Sequence, residues 1–495
     1  MIHLVPPIPR NSFLQSEDGA ATPFAIFIFC IFVVIGGLAV DFNKATSERT
    51  QMQLATDTAA HAAPYSWEFK PVNEATTTAV ATVEGMLPDV AYFDALRGTD
   101  IEYGFWDPAT LTFTADPTFV EEKDNPLRSA VRATAQLEEA RSNQSKTILL
   151  SIIGRDRLSI RTDSVYASYY PPCFNEGFVA QDVVDLQSNN SYTDGFCIHS
   201  NTYVSLNQNN YFEPGTVVSM PSMADLDIPS SGFEKNEGLQ EALRKGAYRM
   251  RLLTQMPMMM QTLRDGYAKY AVQGGVMYDE EVLWPVDVSA GGGGSVSTSG
   301  DDTTTTGNGK GNNKKNTDSS STPDNTPVTR FKASDSGKKN LVAASFDQPN
   351  RIYQLECSSN GDITFAAETF SDFVLITDCP IKFSNGTILE DVLIATEGDV
   401  NASHVQIGKD DNCAPGGGAS IWTYGDVKTA SALSGYGAQI LALGDIQFTA
   451  NANGVKGVSF IAGGRIDGTS NSNMGFCNNG GTENFATARY FRMVE

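Results

Sequence analysis

Residues 419–468 read ASIWTYGDVKTASALSGYGAQILALGDIQFTANANGVKGVSFIAGGRIDG. Turns at Gly425-Asp426, Gly444-Asp445 and Gly464-Arg465 each precede a short apolar-x-apolar segment, beginning at Val427, Ile446 and Ile466. Alternating strand patterns at Ser420-Ile-Trp-Thr and Gln439-Ile-Leu-Ala stand before the first two turns. Worked outward, the pattern also starts at Ile363, Ile381 and Val400, so that successive copies step by 18, 19, 27, 19 and 20 residues. The long step holds an insertion around Cys413 and Gly416-Gly417-Gly418. One such unit cannot bury its own inward side chains, whereas units stacked at the ~4.8 Å strand spacing bury a continuous column. The period predicts a mainly β fold, a right-handed parallel β-helix whose main coils occupy 355–480. Glycine at the corners is expected to supply positive φ, and Ser, Thr and Asn near them to share hydrogen bonds between coils.

The same signature recurs at Val184-Asp-Leu-Gln-Ser-Asn-Asn190 and Val204-Ser-Leu-Asn-Gln-Asn-Asn210, twenty residues apart. Gly177, Gly195 and Gly215 step alongside, placing first coils at 177–221. Both sets are expected to form one solenoid interrupted in sequence, two separate short solenoids being the competing arrangement. Within the interruption, 225–288 reads as a helical insertion. Leu239, Leu243, Ala247, Met250 and Leu253 recur at steps of three or four, and Pro257 divides a first helix from a second running to about Val272. Met256, Met258, Met259 and Met260 form an adaptable apolar cluster, either core or a docking surface. Residues 289–330, rich in Gly, Ser, Thr and Asn, cannot build a core and read as a disordered loop.

At the other end, residues 19–40, GAATPFAIFIFCIFVVIGGLAV, carry no charge. That length suffices for a helix to cross a ~30 Å hydrocarbon core. It exceeds the apolar region of a cleavable signal peptide, and its all-round apolarity is unlike a helix buried in a soluble core. It is read as a single transmembrane helix after a cytoplasmic tail, 1–18. With no Gly or Pro from Ala39 to Ala63, the helix should continue through 41–64 and stop at Pro64. Ala55, Ala59 and Ala63, beside Arg49, offer a small-residue face on which another copy or partner could pack. Residues 65–170 read as a mixed α/β stalk, with helices near 72–86 and 127–141 and strands near Leu158 and Val165.

Basic residues flanking the span (Arg10, Lys44, Arg49) are too few to orient it. Six cysteines outside it, Cys173, Cys197, Cys357, Cys379, Cys413 and Cys477, lack zinc spacing and fit disulfides in an oxidising compartment. Pairing by sequence neighbours gives 173–197, 357–379 and 413–477, one of about fifteen possible sets. The net charge of −23 argues against a nucleic-acid or anionic-lipid surface.

The string from Glu17 to Ala63 resembles the N-terminal region of the TadE/TadG-like family of tight-adherence (Flp) pilus-assembly proteins. Asp18-Gly19 precedes the span, Gly37-Leu38-Ala39-Val40-Asp41 closes it, and Arg49 through Asp57-Thr58-Ala59-Ala60 follows. The resemblance implies an inner-membrane component with its large C-terminal part in the periplasm, working beside other pilus-assembly proteins rather than as an enzyme. Phe24 stands where a processed prepilin has Glu, which favours retention of the anchor. The nearest string to a von Willebrand A metal motif, Asp287-Val288-Ser289, runs into glycines and is rejected.

No catalytic residue or cofactor is expected. The histidines, His3, His61, His199 and His404, have no ligand spacing, and no phosphate loop or nucleophile elbow occurs. Asp399, Asp426 and Asp445 are the residues that could line one corner and hold calcium, although Gly-Asp is ordinary turn chemistry. The competing function is a tethered β-helix that binds or cleaves polysaccharide, with Arg465 as its candidate acid–base group.

Overall fold

The computed structural model describes residues 21–68, 70–87, 92–121, 126–265, 328–332, 340–349, 351–357, 361–468, 470–477 and 485–495. The predicted tail 1–18 and the loop through 327 lie outside them, as does the string at Asp287. The fold is mainly β with one long N-terminal apolar helix. The chain divides into two compact units: Met1–Tyr169 with Phe491–Glu495, and Tyr170–Tyr490.

In the first unit, helix α1 (Ala21–Trp67) is apolar and outward-facing at its start, with Phe24, Phe27, Phe29 and Phe32 exposed. Its second half buries Met52, Ala55, Thr56, Ala59, Ala60 and Ala63, a face at i, i+3, i+4 and i+7. Pro64 does not end the helix as expected. It removes one hydrogen bond in the last turn, Glu68 N–H still reaches Pro64 O at 3.2 Å, and Trp67 is held edge-on against Tyr103, 5.0 Å between centroids.

Helix α2 (Val72–Glu84) supplies Ala75, Ala79 and Val83 to the same core. Against the helices lies an antiparallel sheet containing β1 (Ile101–Asp107), β2 (Thr112–Ala115), β3 (Arg128–Leu137) and β4 (Ile160–Tyr169), in the order β2-β1-β3-β4, with Tyr490–Met493 on the far edge.

The helix expected over 127–141 is β3. Its alanines serve close approach rather than helix propensity: Val131, Ala133, Ala135 and Leu137 face the helical core. Ala130 faces a second cluster with Trp106, Val165 and Ala167. A strand flanked on both sides and packed on both faces needs small side chains, and tertiary packing overrides local preference.

The second unit is a ladder of parallel strands in which each segment bonds to one about a repeat later in sequence. The predicted starts fall into a single register: Ile363, Ile381, Val400, Val427, Ile446, Ile466, Val184 and Val204 are successive partners. All eight are buried. A second column runs Tyr353, Leu375, Ile394, Ile421, Ile440, Phe460, Phe178, Ile198, Val218 and Leu243.

The two sequence blocks are therefore hydrogen-bonded to one another: Ile446–Ala462 pairs with Gly177–Ala180, and Ile466–Gly468 with Val184–Leu186. Spatial order differs from chain order, because the last repeat in sequence adjoins the first. Asparagines tie one corner together. Ser472 N–H donates to Asn190 Oδ1, Asn190 N–H to Asn210 Oδ1, and Asn210 N–H to Asn236 Oδ1 (3.1, 3.0 and 3.2 Å).

Three expectations fail in the inserted part. The first helix expected before Pro257 is replaced by a single turn, Leu239–Ala242, between strands Asn236–Glu237 and Leu243–Lys245 that extend the ladder. Leu239 and Leu243 imitate a helical face because both sit on the strand core. The helix that does form, Arg251–Arg264, contains Pro257 rather than stopping at it. Residues 328–330, assigned to the disordered loop, belong to strand Val328–Lys332, which pairs with 352–356.

Candidate functional site

The G-L-A-V-D string places Gly37 and Asp41 one helical turn apart on α1, where they receive the loop after Lys146. Asp41 is buried, and its carboxylate accepts the backbone N–H groups of Ile148, Leu149 and Leu150 at 2.6, 2.9 and 2.6 Å. Burial pushes its pKa up, but the three N–H donors and nearby Lys44 outweigh it, holding the carboxyl below its ordinary value. A Cβ on Gly37 would lie 2.8 Å from Leu149 Cβ, so the close approach requires glycine. One turn further on, Lys44 Nζ donates to Ser145 Oγ (3.0 Å) and Lys146 O (2.5 Å), and pairs with Glu48 at 3.1 Å. The loop falls in the segment read from sequence as a mixed α/β stalk. Its signal is the apolar run Ile148-Leu149-Leu150-Ser151-Ile152-Ile153, two residues after Lys146.

The alanine face is not free for a partner. Ala55, Ala59 and Ala63 are fully buried inside their own unit, together with Ala75, Ala79, Ala133 and Ala135. The spacing that permits close approach of another backbone is used by the chain itself, and Arg49 is exposed beside it. Ala59→Leu is therefore expected to act as overpacking, costing about 2 kcal/mol of stability in a thermal or urea melt, with oligomeric state unchanged. The methionines are likewise mostly core: Met256, Met259 and Met260 are buried while Met258 is exposed, and their helix lies against strands Thr369–Thr377 and Val427–Ala442.

Asp399, Asp426 and Asp445 do stand in one column, spent on the backbone. Asp426 N–H donates to Asp399 Oδ1 (3.0 Å), Asp445 N–H to Asp426 Oδ1 (2.8 Å) and Arg465 N–H to Asp445 Oδ1 (2.8 Å). The glycine before each turn is there for space. A Cβ on Gly425, Gly444 or Gly464 would meet Asp399, Asp426 or Asp445 Oδ1 at 2.2, 2.0 or 1.9 Å, and none of the three has positive φ. This corrects the conformational reading of those turns; Gly195 and Gly215, at φ 89° and 101°, do need glycine for its backbone.

Arg465 ends the column. Its guanidinium binds Asp467 Oδ1 (Nε, 2.9 Å) and Asp185 Oδ2 (Nη2, 3.3 Å). Asp185 titrates higher than an ordinary aspartate through burial and the neighbouring Asp467 carboxylate.

The structure joins Cys173–Cys197, Cys357–Cys379 and Cys413–Cys477, with Cα separations of 4.8, 5.4 and 5.6 Å, and leaves Cys30 free in the apolar helix. Among the described residues the one grouping of three possible metal ligands, Cys357, Asp378 and Cys379, has both sulfurs in a disulfide. His199 is buried between Ser219 Oγ (2.8 Å) and Asn201 Oδ1 (3.0 Å), and burial lowers its pKa.

Residues 19–68 match the family model described as putative Flp pilus-assembly TadE/G-like, which supports a role in pilus assembly. No curated protein and no solved structure matches the chain significantly. The matched N-terminal region holds the apolar helix, the Gly37–Asp41 clamp and the buried alanine face; the parallel strand ladder coincides with a second model, matched over 177–280 and 296–478. By that match, which covers more than half its length, the chain belongs to the family described as domain of unknown function DUF7867, and it carries a TadE/G-like N-terminal region.

Proposed function

We propose that this protein is a non-catalytic scaffold of the tight-adherence pilus machinery, fixed in the inner membrane by residues 19–40 with its body in the periplasm. The observation that carries the reading is the division of α1 inside the matched region. Its first half is apolar and exposed on all sides, as lipid contact requires, and its second half is embedded in folded protein. Three disulfides fit an oxidising compartment. The parallel ladder is read as a right-handed β-helix, a stiff body whose outward strand positions present a long polar face to pilus or envelope partners.

Protease added to spheroplasts is expected to digest the body and leave a short membrane fragment, while intact cells protect it. A body that survives in spheroplasts, where a periplasmic control is cut, overturns the orientation. Deletion of the gene should abolish surface piliation. Complementation with the Asp185→Ala/Arg465→Ala variant should restore it fully, because nothing in the scaffold role requires that ion pair; failure of a folded variant would reopen catalysis.

A further inference from the structure

The loop clamped to Asp41 carries three of the most exposed aliphatic side chains outside the apolar helix: Ile148, Ile152 and Ile153 are 55, 68 and 54% exposed. Its height along α1 is fixed. Leu149 packs on Gly37, inside the last turn of the 19–40 run, and Asp41 bonds to the three N–H groups of 148–150. The isoleucines therefore lie level with the end of the apolar run, and their surface is continuous in height with exposed Leu38, Val40 and Phe42.

Charge fits the same place. Lys146 and Arg157 face each other across the two-stranded stem of the loop, both exposed, with exposed Arg155 beside them. Like charges directly opposite in a strand pair are unfavourable in water, and a negative surface relieves them. Exposed Asp156 stands between the two arginines, so the stem carries three cations against one anion in a chain of net charge −23.

We propose that the 147–157 loop is a second membrane contact: its isoleucines enter the headgroup–acyl boundary of an anionic bilayer while Lys146, Arg155 and Arg157 bind lipid phosphates. Interfacial segments of this kind combine a small apolar insertion with basic flanks. The clamp on Asp41 then holds the folded unit at a set depth, so that α1 cannot pivot freely where it leaves the membrane. The inference rests on the anchor reading.

The test is made on the full chain in nanodiscs of phosphatidylethanolamine and phosphatidylglycerol. A small fluorescent amino acid is placed singly at Val34, Ile152 or Leu111, and quenched by lipids bearing a nitroxide near the top of the acyl chain. Leu111 is the water-side control. It is 69% exposed in the β1–β2 hairpin, beyond the level where Tyr103 meets Trp67, which at 1.5 Å per residue is about 45 Å of helix from Gly37. Quenching at 152 several-fold stronger than at 111 is expected. Quenching at 34 with none at 152 beyond that at 111 overturns the loop contact alone. Absence of quenching at 34 overturns the anchor reading, and the loop contact with it.

Discussion

Phe460→Ala is expected to lower the unfolding free energy by about 3–5 kcal/mol, the range for truncating a fully buried aromatic. The ring sits where the C-terminal repeats meet the N-terminal ones. It stacks on Phe178 (centroids 5.4 Å apart, planes at 24°), and Phe448 closes the cluster at 5.3 and 5.4 Å from the two. Beneath the rings, Ser459 to Ala462 pair with Gly177 to Ala180. Because the same core runs through both blocks, one cooperative urea transition of the full chain in detergent, followed by near-ultraviolet circular dichroism, should move to lower denaturant. A variant that splits the transition, with one block melting at its original midpoint, would show two independently folding stacks instead.

The register of the ladder was legible because each repeat restarts on a β-branched residue. Ile or Val at 363, 381, 400, 427, 446, 466, 184 and 204 gives eight matching marks, and the backbone pairs them one to one. What pairs the two blocks was not written locally: Ile466 meets Val184 through chain closure across the long interruption, and every repeat looks like an equally good neighbour. Errors arose where one residue type serves two geometries. The alanines of 130–135 have helix propensity yet line a strand, and Leu239 and Leu243 are four apart yet belong to a turn and a strand. Ala55, Ala59 and Ala63 do form an approach surface, but the approaching backbone is intramolecular. The Asp41 clamp is not legible in the sequence because its partners are main-chain N–H groups, which no sequence pattern displays.

The Gly-Asp turns show most directly how a dipeptide encodes contact between repeats. Gly444→Val is expected to cost about 3 kcal/mol, at the upper end for overpacking, since even a single Cβ there would stand 2.0 Å from Asp426 Oδ1 and 2.9 Å from Gly425 O. The conflict is with the carboxylate of the preceding repeat, so it should be relieved in part from the other side. Asp426→Ala alone forfeits its bond to the Asp445 N–H, about 1 kcal/mol for an exposed group. The double variant should then be more stable than the sum of the two losses predicts, with a coupling of about 1 kcal/mol or more. Positive φ as the reason for glycine would give a different result: no coupling to Asp426, and a cost that the second substitution leaves untouched. Equilibrium unfolding of the four proteins in one detergent separates the two, and strict additivity would refute the steric account of the ladder. If the account holds, the aspartate of one repeat and the glycine of the next form a single unit of recognition, which is why the pair recurs at each step of the stack from Gly398-Asp399 to Gly464, where Arg465 replaces the aspartate and turns to Asp467 and Asp185 instead.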